Sequence, residues 1–111
     1  MKKDHKIFLK HITESIDAIE QFAKGMSRTD FKRSLKTQDA VIRRLTIIGE
    51  AVKNLPASFR KKHEHIPWSE LARMRDKLTH GYFGVSLDIT WDVLEKDLPQ
   101  LKKSINRIIE E

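Results

Sequence analysis

Apolar residues along this chain recur at intervals of three and four, the spacing that puts side chains on one face of an α-helix. Between Asp4 and about Lys24 the stripe is Phe8, Ile12, Ile16, Ile19 and Ala23. Gly25 is placed to end that helix in a left-handed turn, and Ser27, Thr29 and Asp30 are candidates to cap the next. The clearest pattern follows. Phe31, Leu35, Gln38, Val41/Ile42, Leu45, Ile48, Val52 and Leu55 keep the rhythm for about seven turns and predict one long helix. Pro56 stops it, because proline disfavours helical backbone in the residue before it. Gly49 lies inside this helix, where glycine costs about 1 kcal/mol relative to alanine. Close approach of a neighbouring helix is the simplest reason for it.

Residues 56–66 predict a short helix and a turn around Phe59 and the basic run Arg60-Lys61-Lys62-His63. A third major helix is expected from near Pro67, with Glu70 at its positive end and Trp68, Leu71, Met74 and Leu78 as its buried stripe. Gly81 and Gly84 bracket a break. A final helical region runs from about Asp88 to Ile109, with Ile89, Val93, Leu94, Leu98, Leu101, Ile105 and Ile108 inward. Pro99 either kinks it or marks a restart capped by Asp97. There is no alternating strand pattern, internal repeat or low-complexity segment. The expectation is an all-α fold, an antiparallel up-down bundle of four to five helices in a single domain over residues 1–111.

Composition narrows the chemistry. With 111 residues, 39% of them hydrophobic and 34% charged, the chain can build one modest core. It has no cysteine, which excludes disulfides, thiolate metal sites and cysteine nucleophiles. No apolar run approaches the roughly 20 residues needed to span a bilayer, and no signal-peptide core follows the start. A cytoplasmic location without membrane association is expected. Lys plus Arg number 22 against 16 for Asp plus Glu, a formal +6 that favours an anionic partner such as nucleic acid.

Glycine-rich phosphate loops are absent, and no Ser/His/Asp order suggests a nucleophile elbow. Among the five histidines, His63 and His65 are two apart, which is not helical ligand spacing, and His5 and His11 have no nearby partners. A solvated surface is expected for all four, with no metal and no cofactor. The informative segment is Arg73-Met74-Arg75-Asp76-Lys77-Leu78-Thr79-His80-Gly81-Tyr82-Phe83-Gly84. Met74 and Leu78 point inward, while Arg75, Asp76, Lys77 and Thr79 lie off that stripe. Taken alone, His80 is as readily a cap complementing the helix dipole as a reactive group. Arg75 and His80 are five positions and about 140° apart on an ideal helix. For both to meet one phosphate, the helix unwinds before His80, Arg75 reaches around, or a second subunit supplies another copy of the pair.

The run RDKLTHGY, from Arg75 through His80 to Tyr82, resembles the Arg-x4-His-x-Tyr signature of the HepT-like toxins, a branch of the HEPN superfamily of helical ribonucleases. IGEAVKNLP (Ile48 to Pro56), IPWSELARMR (Ile66 to Arg75) and GYFGVSLDITWDVLEKDLPQLK (Gly81 to Lys102) resemble further blocks of the family in the same order. The likeness covers most of the chain, and the first 30 residues contribute only helix periodicity. It implies a HEPN-like bundle and a metal-independent endoribonuclease with Arg75 and His80 as catalytic residues. It also implies an antitoxin partner, a nucleotidyltransferase of the MNT type, and a homodimer whose two signatures face a shared cleft. Neutralisation would come from adding AMP to Tyr82.

These residue types suit the reaction. RNA cleavage by attack of a 2′-hydroxyl on the adjacent phosphate needs proton transfers and stabilisation of added negative charge. An imidazole can accept or donate a proton near neutral pH, which fits His80. The Arg75 guanidinium stays charged and can fork onto two phosphate oxygens. Asp76 could orient either residue or simply be solvated, and the Tyr82 hydroxyl could hydrogen-bond the RNA backbone. Arg60, Lys61, Lys62, Arg73 and Lys77 are candidates to steer RNA, or merely to solubilise the surface. The competing reading is a catalytically silent helical module that docks to a nucleotidyltransferase.

Overall fold

A computed structural model describes residues 5–80 and 86–110, the side chains of Thr79 and His80 excepted. Every element among the described residues is helical: α1 (His5–Phe22), α2 (Arg28–Arg33), α3 (Leu35–Asn54), α4 (Ala57–Lys62), α5 (Trp68–His80), α6 (Leu87–Asp92) and α7 (Leu98–Glu110), with a π-helical turn over Val93–Asp97 joining the last two. The all-α expectation holds. The four long helices lie in the order α5, α3, α1, α7, each packed on the next. Phe8 and His11 from the start of α1 line one groove with Glu50 and Asn54 from the end of α3, so these two helices run antiparallel. At the other end of α1, Asp17 and Glu20 both pair with Lys102 near the start of α7.

The core follows the apolar stripes. Leu9, Ile12, Ile16 and Ile19 of α1, Val41, Leu45, Ile48 and Val52 of α3, and Leu98 and Ile105 of α7 are all essentially buried. Each such side chain is worth about 1.5–3 kcal/mol of hydrophobic stabilisation. Gly25 has φ +78, the left-handed turn expected after α1. Ser27 then caps α2 through a reciprocal pair of hydrogen bonds with Asp30.

Several expectations need correction. The long helix from Phe31 to Leu55 is two helices, broken at Ser34, whose backbone is extended and whose hydroxyl accepts from Thr37 N–H at the start of α3. Sequence periodicity ran through the break because Leu35 kept the spacing, yet Leu35 is 65% exposed. Gln38, counted in the stripe, instead donates to the carbonyls of Phe31 and Lys32 and ties the broken ends together. Ile89, expected inward, is also 65% exposed, and Trp91 takes the inward position against Phe31, ring centroids 5.5 Å apart. Pro99 lies in the first turn of α7, and Asp97 does not cap a restart there. The ladder widens ahead of it, with Leu98 N–H donating to Val93 O, and Asp97 belongs to that wider turn.

The third helix begins at Trp68 and its stripe is inward, with Trp68, Leu71 and Leu78 buried and Met74 partly so. The break bracketed by Gly81 and Gly84 lies outside the described residues. Where α4 meets the starts of α1 and α5, His5, Phe59, His63 and Trp68 form an aromatic cluster. His63 is therefore buried rather than solvated, and its carbonyl accepts from the Trp68 indole N–H at 3.0 Å.

Candidate functional site

The contact between α3 and α5 is set by Gly49. A Cβ built there would overlap the Cβ of Arg75, and would lie 2.8 Å from Arg75 Cγ and 3.1 Å from the Leu71 carbonyl. The missing side chain lets the backbone of α5 come in at this level, and the stem of Arg75 lies across the glycine. That answers the question of why a helix interior carries a residue of such low helix propensity.

The Arg75 side chain emerges 25% exposed among carboxylates. Its Nη1 donates to Asp76 Oδ1 at 3.2 Å and its Nη2 to Glu50 Oε2 at 3.4 Å. Asp76 Oδ1 also accepts from Lys53 Nζ at 2.8 Å. Lys53 first, and Arg75 second, hold the Asp76 carboxyl below the usual carboxylate range by hydrogen bonding to its ionised form. The four side chains sum to zero charge. Arg75, Glu50 and Lys53 border a shallow groove of about 430 Å³ between α1 and α3, whose other walls include Phe8, His11 and Asn54.

Arg75 and Asp76 thus come together as the sequence suggests. The other cations do not join them. Arg60, Lys61 and Arg73 line a separate hollow of about 490 Å³ at the start of α5. Arg73 and Lys77 line a groove of about 430 Å³ between α5 and the α6–α7 arm, with Leu71, Met74, Leu98 and Leu101 beneath. The second cation beside Arg75 is Lys53 instead, and Lys53 and Glu50 are residues that the sequence did not single out, while His11, expected at the solvated surface, lines the groove. The one signal for Glu50 and Lys53 was their nearness in α3 to the helix-interior Gly49.

Helix α5 stays helical through His80, so it does not unwind between the two residues of the signature. Of the three routes by which Arg75 and His80 could meet one phosphate, reach of the Arg75 side chain and a second subunit remain. The His80 side chain and all of Tyr82 lie outside the described residues. Among those residues, no group of three His, Cys, Asp or Glu is placed to hold a metal ion. No described helix is long and apolar enough to cross a membrane.

Fold and site define a helical bundle that carries an arginine on the inner face of its third long helix, five residues ahead of a histidine. The ribonuclease HepT-like family matches residues 12–108, and the chain belongs to that family. Over its whole length it is 57% identical to a Methanocaldococcus jannaschii protein named "Gamma-glutamylcyclotransferase and putative RNase", half of whose length it spans. It is 48% identical to the "Probable ribonuclease HepT" of Thermococcus cleftensis, over 97% of this chain and 98% of that one. A "Putative RNase" of Caldanaerobacter subterraneus is 44% identical over 97% and 96%. No solved structure matches.

Proposed function

We propose that this chain is a metal-independent endoribonuclease, the toxin of a HEPN/MNT toxin–antitoxin pair, with Arg75 and His80 as its catalytic residues. The observation that carries the reading is the placement of Arg75. Its guanidinium borders an open groove, positioned by a helix–helix contact that only glycine permits, on the helix that reaches His80 five residues later. In the reaction a 2′-hydroxyl attacks the neighbouring phosphorus and the bond to the 5′-oxygen breaks. His80 relays the proton lost by the 2′-hydroxyl to the departing 5′-oxygen, leaving a 2′,3′-cyclic phosphate and a 5′-hydroxyl. Arg75 forks onto the non-bridging oxygens as their charge grows.

Two copies of the chain would bring two signatures to a shared cleft, which accommodates the 140° between Arg75 and His80 on one regular helix. The partner nucleotidyltransferase would transfer AMP from ATP to the Tyr82 hydroxyl with release of pyrophosphate. That puts bulk and a negative phosphodiester where substrate phosphate must sit. The family membership and the names of the relatives support the ribonuclease part of this reading; the partner, the modification and the dimer rest on the resemblance of the signature.

The test is cleavage of RNA in the presence of a chelator by wild type, Arg75→Ala and His80→Ala. Cleavage by wild type alone is the expected result, and equal cleavage by all three would remove the site. Incubation with the nucleotidyltransferase and ATP should add multiples of one AMP mass at Tyr82 and stop cleavage.

A further inference from the structure

The Arg75 guanidinium faces Glu50, and the signature contains no counterpart to that carboxylate. Glu50 stands on α3, one residue after Gly49, so the position that brings α5 close also fixes where its own neighbour meets the Arg75 tip. An unheld arginine side chain is spread over many rotamers, and that freedom must be given up before it can fork onto a phosphate. Asp76 and Glu50 engage one terminal nitrogen each, Nη1 and Nη2, the same two atoms that a bidentate phosphate contact uses. Glu50 is the looser of the two. Its contact is the longer, 3.4 Å against 3.2 Å, and among the described residues no second cation shares its carboxylate in the way that Lys53 shares that of Asp76.

We infer that Glu50 is a positioning residue, a carboxylate that holds the Arg75 guanidinium across the groove and, because each Nη carries two hydrogens, shares it with the RNA phosphate once substrate binds. This rests on the ribonuclease reading for its consequence but not for its geometry. It requires two separable effects. As an aligning contact, Glu50 serves the rate of the chemical step, since a small misplacement of a catalytic group costs up to a hundredfold. As an anion, it competes with the substrate phosphate for Arg75 and weakens binding. Glutamine keeps the shape and the accepting oxygen while removing the charge; alanine removes both.

The experiment compares Glu50→Gln and Glu50→Ala for kcat and KM on a single-stranded RNA, and for the NMR signal of the Arg75 Nε–H, identified by its loss in Arg75→Lys. Glu50→Ala should lower kcat by roughly tenfold to a hundredfold and speed solvent exchange of the Arg75 Nε–H. Glu50→Gln should recover most of kcat, keep the slow exchange and lower KM a few-fold. A merely structural role for Glu50 would instead lower the unfolding midpoint and leave the kcat and KM of the folded fraction as in wild type. Wild-type kcat and exchange in Glu50→Ala would overturn the inference. An Arg75 signal that responds in a protein that cuts no RNA would uphold the holding contact and count against the ribonuclease reading alone.

Discussion

Two arginines of this chain sit in nearly the same company and do different things. Arg28 of α2 meets two carboxylates, Asp88 and Asp92 of α6, and Lys32 shares Asp88. Arg75 of α5 meets two carboxylates, Asp76 and Glu50, and Lys53 shares Asp76. Charges and residue types are almost interchangeable; geometry is not. Arg28 donates to Asp92 at 2.6 Å and to both the side chain and the carbonyl of Asp88 at 3.1 Å, fastening two short helices beside the Phe31–Trp91 contact. Arg75 makes longer carboxylate contacts, its stem is pressed on a glycine, and its tip faces a groove. A guanidinium wrapped by short bonds is a fastener. One at the edge of a groove is where the proposed function puts the phosphate contact.

Phe31→Ala removes the ring that underlies the Arg28 cluster and should cost about 3–5 kcal/mol in urea unfolding. Cleavage per folded molecule should stay near wild type. Arg75→Ala should do the reverse, lowering kcat/KM on the order of 10²–10³-fold with little change in the unfolding midpoint. Arg28→Ala, its counterpart, should lower the midpoint slightly and leave cleavage intact; a catalytic loss there would erase the distinction.

Gly49→Ala sets about 1–3 kcal/mol of overpacking against about 1 kcal/mol of gained helix propensity. The expected net is a modest loss of stability and a clear loss of cleavage, because the added Cβ displaces Arg75 itself. Gly25→Ala is the control. No atom lies within 4 Å of a Cβ there, so its cost is the strained φ alone and cleavage should be untouched.

The smallest effect is in acid. Lys32 and Arg28 hold the Asp88 carboxyl below its ordinary value, as Lys53 and Arg75 hold that of Asp76. A carboxylate lowered on folding contributes stability above its unfolded pKa, about 3.9, and loses that contribution as pH falls through the folded value. Asp88→Asn and Asp76→Asn should therefore each flatten the acid limb of an unfolding curve below about pH 4, and both effects should shrink in high salt.

Much of this protein can be read from spacing alone. Helix existence, the stop at Pro56, the left-handed Gly25 and the cap at Ser27 are local events, governed by backbone sterics and by hydrogen bonds within a few residues, so one stretch of sequence suffices for each. The signature from Arg75 to His80 was visible for the same reason. The break at Ser34 was not, because the 3/4 rhythm continues through Leu35 and periodicity cannot tell a buried apolar residue from an exposed one. Ile89 escaped on the same grounds, and His63 is buried at the edge of an aromatic cluster centred on Phe59, whose members come from distant segments. Only the tertiary structure could pair Gly49 with Arg75 across 26 positions, bring Glu50 and Lys53 to the guanidinium, and send Arg73 and Lys77 to another face of the same helix. Sequence determines which faces are apolar and where helices start and stop. The angle and depth at which two helices meet are settled by packing between distant segments, and here that contact decides which arginine stands at the groove.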